Sequence, residues 1–165
     1  MQWTSDVAFG AIDGNVAYGI GPSGLTAVSI DNGRVLWSAS VVDGTQGVIG
    51  ATDGKIFVWA YSTAPGDPEP AYFQVWDAST HKVAYYFFGV EDGLRPAISN
   101  GTVYFVRELL SGPGGHALYA ADEATGHQLW SVTIPVTSRV TSPVVSRGYV
   151  FWSGATYRVS DGKFV

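Results

Sequence analysis

The chain has 165 residues, a formal charge of −5, a pI near 4.9, and 46% hydrophobic but only 14% charged residues. The acidic balance, with no run of Lys and Arg, excludes nucleic acid and anionic membranes as partners, and no apolar stretch nears the ~18 residues of a spanning helix, so no membrane insertion is expected. Absence of cysteine excludes disulfides, thiol catalysis and thiolate metal sites.

From the N-terminus, Met1 leads directly into Gln2-Trp3-Thr4-Ser5-Asp6, with no apolar core of a signal peptide. Trp3-Thr4-Ser5-Asp6-Val7 resembles Trp37-Ser38-Ala39-Ser40-Val41, so residues 1–7 are predicted as an outer strand whose Trp3 supplies an aromatic to another sheet. Ile12-Asp13-Gly14-Asn15-Val16-Ala17-Tyr18 follows as a hairpin, because Asp-Gly favours a two-residue turn with positive φ at both central positions. The same signal returns at Asp53-Gly54, Asn100-Gly101 and Arg147-Gly148, about 40 to 47 residues apart, the length of a four-stranded repeat.

Between these hairpins lies a second phrase. It reads Ala27-Val28-Ser29-Ile30-Asp31-Asn32-Gly33-Arg34-Val35-Leu36-Trp37, then Val75 through His81 to Tyr85, then Ala120-Ala121-Asp122-Glu123-Ala124-Thr125-Gly126-His127-Gln128-Leu129-Trp130. Two apolar runs flank a polar turn at Gly33, His81 and Gly126, and an aromatic (Trp37, Tyr85, Trp130) follows four residues later. Asp122 and its counterparts Asp77 and Asp161 read as turn carboxylates that accept nearby backbone N–H groups. The third unit shows all four predicted strands: 95–99, 102–106, 117–122 and 128–134. Approximate units are 8–41, 42–90, 91–135 and 136–165, with 1–7 as a closing strand of one domain spanning 1–165. A sheet apolar on both faces must stack on others like it, so the predicted fold is an all-β propeller of four-stranded antiparallel blades.

The Ala-x-Asp-x-x-Thr-Gly-x-x-x-Trp phrase, with Ser142-Pro143-Val144-Val145 leading into the next turn, resembles the repeat of pyrroloquinoline-quinone-like (PQQ-like) propellers over essentially the whole chain. The resemblance implies blades locked by docked tryptophans, here Trp37 and Trp130, in rings of about eight, and an extracytoplasmic setting. Three arrangements satisfy it: a self-closed four-blade ring, a homodimer that completes eight blades by exchanging first strands, and a piece of a larger ring.

No catalytic residues, no metal site and no cofactor are predicted. His81, His116 and His127 lack a ligand spacing and read as turn residues, the Gly-rich run 111–116 lacks a phosphate-binding Lys and helix, and no Gly-x-Ser-x-Gly is present. Functional signal is left in departures from the repeat, the insertions 61–72 and 108–116. With the connections between blades they define an expected loop-face binding surface of Tyr61, Asp67, Glu69, Tyr72, Arg95, Glu108, His116 and Arg139. The leading expectation is a non-catalytic module that binds a protein partner there. Two alternatives stand beside it: a fragment of a PQQ-dependent dehydrogenase, the one case in which PQQ and Ca²⁺ are implied, and a carbohydrate-binding propeller using Tyr61, Tyr72 and Trp59 as exposed aromatics.

Overall fold

The computed structural model describes residues 5–42, 44–66, 71–109, 115–134 and 140–165. All its regular elements are strands. β1 (Ala8–Asp13), β2 (Val16–Gly21), β3 (Gly24–Ser29) and β4 (Val35–Ala39) form the first antiparallel sheet, and β5 (Thr45–Thr52), β6 (Lys55–Tyr61), β7 (Ala71–Asp77) and β8 (Lys82–Phe88) the second. The third contains β9 (Ala97–Ser99), β10 (Thr102–Glu108), β11 (His116–Asp122) and β12 (Gln128–Ile134). The fourth has β13 (Val144–Ser146), β14 (Tyr149–Trp152) and β15 (Ala155–Arg158), with a bridge from Tyr157 to Phe164 where a fourth strand begins. The third sheet's first strand starts at Ala97, not at the expected Arg95, because Pro96 has no N–H to give to a ladder.

Two compact units, Met1–Phe88 and Gly89–Val165, each hold two consecutive sheets. In the first, Tyr18, Leu25 and Ala27 of the first sheet form a core with Val48, Ile56, Val58 and Trp76 of the second. In the second, Tyr104, Val106, Leu118 and Ala120 form a core with Val150, Trp152 and Tyr157. Register makes the cores equivalent. Tyr18 faces Ala27 as Tyr104 faces Ala120, and Ile56 faces Trp76 as Val150 faces Tyr157. Where Val58 faces Gln74, Trp152 faces Ala155, so a medium pair is exchanged for a large and a small one at similar total volume, the kind of swap a close-packed core tolerates. Gln74 is fully buried, and its Oε1 accepts the Trp76 Nε1–H at 2.9 Å, which satisfies an indole that Tyr157 does not carry in the other unit.

The turns follow their chemistry, with one correction. Asp53-Gly54, Asn100-Gly101 and Arg147-Gly148 all have positive φ at both positions, as a primed hairpin turn requires. In the first sheet Asp13 pairs with Val16, so the two-residue loop is Gly14-Asn15 rather than the expected Asp13-Gly14, and only Gly14 has positive φ. Asp13 is thereby released from turn duty, and its Oδ2 accepts the Gly54 N–H of the next hairpin at 3.0 Å.

The second phrase carries a feature beyond its turn. The third-to-fourth strand ladder shifts register between Ala27 and Val28, between Val75 and Trp76, and between Ala120 and Ala121, leaving Leu36, Ala84 and Leu129 as the extra residues of three bulges. Each bulge stands directly before the repeat aromatic and re-aims it. The Trp37 ring lies 6.1 Å from Tyr18 and Trp130 lies 5.8 Å from Tyr104, both at an interplanar angle of 49°. Each indole also meets the polar turn of the following sheet. Trp37 stacks on the His81 ring at 4.5 Å, and the Trp130 Nε1–H donates to the Val159 carbonyl at 2.8 Å beside Gly162. Tyr85, on β8, makes an edge contact with Phe87 at 5.3 Å, while Trp3 lies outside the described residues.

Candidate functional site

The Asp turns of the repeat are structural. Asp77 Oδ1 accepts the N–H groups of Ser79 and Thr80 at 2.9 and 3.0 Å, while its Oδ2 pairs with Lys55 Nζ at 2.6 Å. The Lys55 bond, followed by the turn donors, holds its carboxyl well below the usual carboxylate range. Asp122 Oδ1 accepts the Thr125 hydroxyl at 2.6 Å and its N–H at 2.8 Å, and the hydroxyl first, then the amide, lowers its pKa. Gly126, with φ 74, completes the same turn that Gly33 closes in the first sheet with φ 71.

At the other end of the third sheet the ladder runs further than the insertion suggested. Glu108 and His116 are a cross-strand pair, and Leu109 N–H bonds the Gly115 carbonyl at 2.9 Å, so both ends of the 108–116 insertion belong to the hairpin. The segment after Gly89 folds back on this hairpin: Val90 bridges Arg107, and Glu91 N–H donates to the Val106 carbonyl at 2.8 Å. This brings Glu91 Oε2 within 3.1 Å of His116 Nε2, an ion-pair contact without hydrogen-bond alignment, between side chains only 25% and 16% exposed. The Arg107 guanidinium lies 5.3 Å over the Tyr119 ring, which in turn stacks on Phe105 at 5.6 Å. Glu91, Glu108 and His116 therefore gather at this loop end, while Arg107 and the Phe105–Tyr119 pair lie on the opposite face of the sheet.

Glu91 and Arg107 were missed in the sequence. Glu91 reaches His116 from 25 positions away in the chain, and no local motif announces it. Arg95 stands on a connecting segment tied down by its own N–H to Ser142 Oγ at 2.9 Å.

In the first unit, Tyr61 ends β6 and is half-buried. Tyr72 is 9% exposed, packed by Tyr86 and Phe88 at 6.0 and 5.7 Å, and Trp59 is 7% exposed against Phe73 at 5.1 Å. The expectation that Tyr72 and Trp59 stand as exposed aromatic platforms is corrected: both strands are buried on both faces there, so their rings serve as core. Asp67, Glu69 and Arg139 lie outside the described residues. Among the described residues no three or more His, Asp and Glu group as metal ligands, and no helix is long and apolar enough to cross a membrane.

Residues 73–163 match the family model PQQ_2, described as outer membrane protein assembly factor BamB. No curated protein sequence matches the chain significantly. Among solved structures, the quinohemoprotein alcohol dehydrogenase ADHIIG from Pseudomonas putida HK5 is 14% identical with a TM-score of 0.62, covering 99% of this chain and 34% of its own. AztD from Citrobacter koseri is 11% identical with a TM-score of 0.57, covering 97% of this chain and 46% of its own. The chain thus spans between a third and a half of the length of these relatives, and at such identities the likeness establishes the propeller fold alone.

Proposed function

The chain belongs to the PQQ-repeat family described as outer membrane protein assembly factor BamB, and from that premise we propose that it is a non-catalytic repeat module that holds a protein partner at the loop end of its third sheet. The observation that carries the reading is the loop end of the β10–β11 hairpin, where Glu91 meets His116 on one face and Arg107 covers Tyr119 on the other. It sets Glu91, Glu108, Arg107 and His116 at the end of one hairpin, side chains of both signs suited to the polar rim of a protein interface. The contacts of Trp37 with His81 and of Trp130 with Val159 support reading these residues as the family's docking tryptophans. An extracytoplasmic setting belongs to the same proposal and rests on the family's description.

The fold likeness to a quinohemoprotein dehydrogenase favours a second reading, a portion of a PQQ-dependent dehydrogenase. Under that reading a quinone held with calcium is expected, with several oxygen ligands gathered around the ion.

The test is a photo-crosslinking side chain placed at Glu108 and, as a control, at Thr125 at the opposite end of the same sheet. The expected result is a discrete protein adduct from an envelope extract at position 108 that Arg107→Glu removes. No adduct at 108, or the same adducts at both positions, would refute the reading.

A further inference from the structure

At the end of the third sheet opposite Glu108 and His116, a cleft of about 580 Å³ opens between the β9–β10 and β13–β14 turns. Tyr104 and Trp130 line it with aromatic surface, Ser99, Ser146 and Ser160 with hydroxyls, and Arg147 with charge. No carboxylate lines it. Among the described residues Arg147 enters no ion pair, so the only formal charge in the cleft is an unneutralised cation.

In the first unit the same place is tied together. Register aligns Asp13 with Ser99, Asp53 with Arg147 and Gly54 with Gly148. There, Asp13 reaches across to the Gly54 N–H at 3.0 Å and ties the two turns together. Ser99 is too short for that reach, and no bond joins it to Gly148 among the described residues. At the third corner His81, stacked on Trp37, is replaced by Gly162, which places no ring on Trp130. The cleft thus lacks the Asp13-type tie, carries hydroxyls on its rim and has a base where the first unit has an acid.

We propose that this cleft binds an acidic sugar: a hexuronate unit whose carboxylate pairs with Arg147, whose C–H face lies on Trp130, and whose hydroxyls meet Ser99, Ser146 and Ser160. The chemistry selects this class. The volume falls within the range of small-ligand sites and exceeds what a bare carboxylate fills. Planar Arg matches a carboxylate in two hydrogen bonds, and a single cation matches a monoanion rather than a polyphosphate. The site lies away from the proposed protein-binding loops and stands independently of them. The unit is recognised equally as a free acid or within a polyuronate.

Calorimetric titration of the 165-residue chain with glucuronate, glucose and trigalacturonate tests the proposal. Glucuronate is expected to bind saturably, and Arg147→Asn to weaken it about tenfold or more, the value of one charge-assisted contact. Asn is suited to the turn, since Asn100 holds the same position in the preceding hairpin with the same φ of 50. Glucose should bind about tenfold more weakly than glucuronate, and Asp53→Asn, at the equivalent turn of the first unit, should leave binding unchanged. Tighter binding of trigalacturonate assigns a polyuronate source, and equal binding assigns the free acid. No saturation below about 10 mM glucuronate, equal affinity for glucose, or undiminished binding by a folded Arg147→Asn variant overturns the proposal.

Discussion

Trp130 and Gly162 form a contact whose worth follows from geometry. A Cβ added at Gly162 would stand 2.6 Å from Cε3 and 2.9 Å from Cδ2 of the indole, on backbone with φ +68. Gly162→Ala therefore incurs about 1–2 kcal/mol for a left-handed L-residue and about 1–3 kcal/mol for overpacking against a ring held by Tyr104 and by its bond to Val159. Trp130→Ala alone should lose about 3–5 kcal/mol as its cavity opens. With the indole gone, the new methyl has nothing to strike, so Gly162→Ala in that background should lose only the backbone part. The double-mutant cycle then shows a coupling of about 1–3 kcal/mol. Urea unfolding of wild type, both single variants and the double variant, followed by far-ultraviolet circular dichroism, measures it. Additivity within about 0.5 kcal/mol would show that the methyl and the ring never meet and would sink the argument.

Two further outcomes are expected in the first unit. Asp77 is held low by Lys55 and its turn, so its carboxylate binds protons less readily folded than unfolded. Its stabilising contribution is complete above the unfolded value of about 3.9 and is lost as pH falls through the depressed folded value. Melting temperature should accordingly drop below about pH 4 and drop less steeply in Asp77→Asn; identical acid profiles would remove Asp77 from the account. Asp13→Ala should lower stability by about 1–3 kcal/mol and expose the Gly54 amide to faster hydrogen exchange, because a charge-assisted bond between two hairpins is gone. An equally protected Gly54 amide would contradict the bond.

The bearing of sequence on site is uneven for physical reasons. At the loop end, the expectation for His116 and Glu108 came from an insertion that interrupts a repeat, and interruption is a local property. Glu91 left no such local signal, since its approach to His116 depends on a connecting segment folding back along β10. Tyr72 and Trp59 looked available in an insertion-flanking strand, yet the second sheet is buried on both faces at β6 and β7, and exposure is decided by what stacks on a strand rather than by its composition.

By itself the sequence determined the all-β repeat, the four sheets and the positions of most turns, because two-residue turn chemistry and strand alternation act over a few neighbouring residues. It also marked Trp37 and Trp130 as equivalent positions. Only the tertiary structure decided that a bulge at Leu36 or Leu129 turns each indole toward the next sheet, that Asp13 leaves its turn to tie two hairpins, and that Ser99, Arg147 and Trp130 line one cleft. Those outcomes depend on pairs tens of residues apart whose side chains meet only once the sheets have packed, and no local preference encodes them.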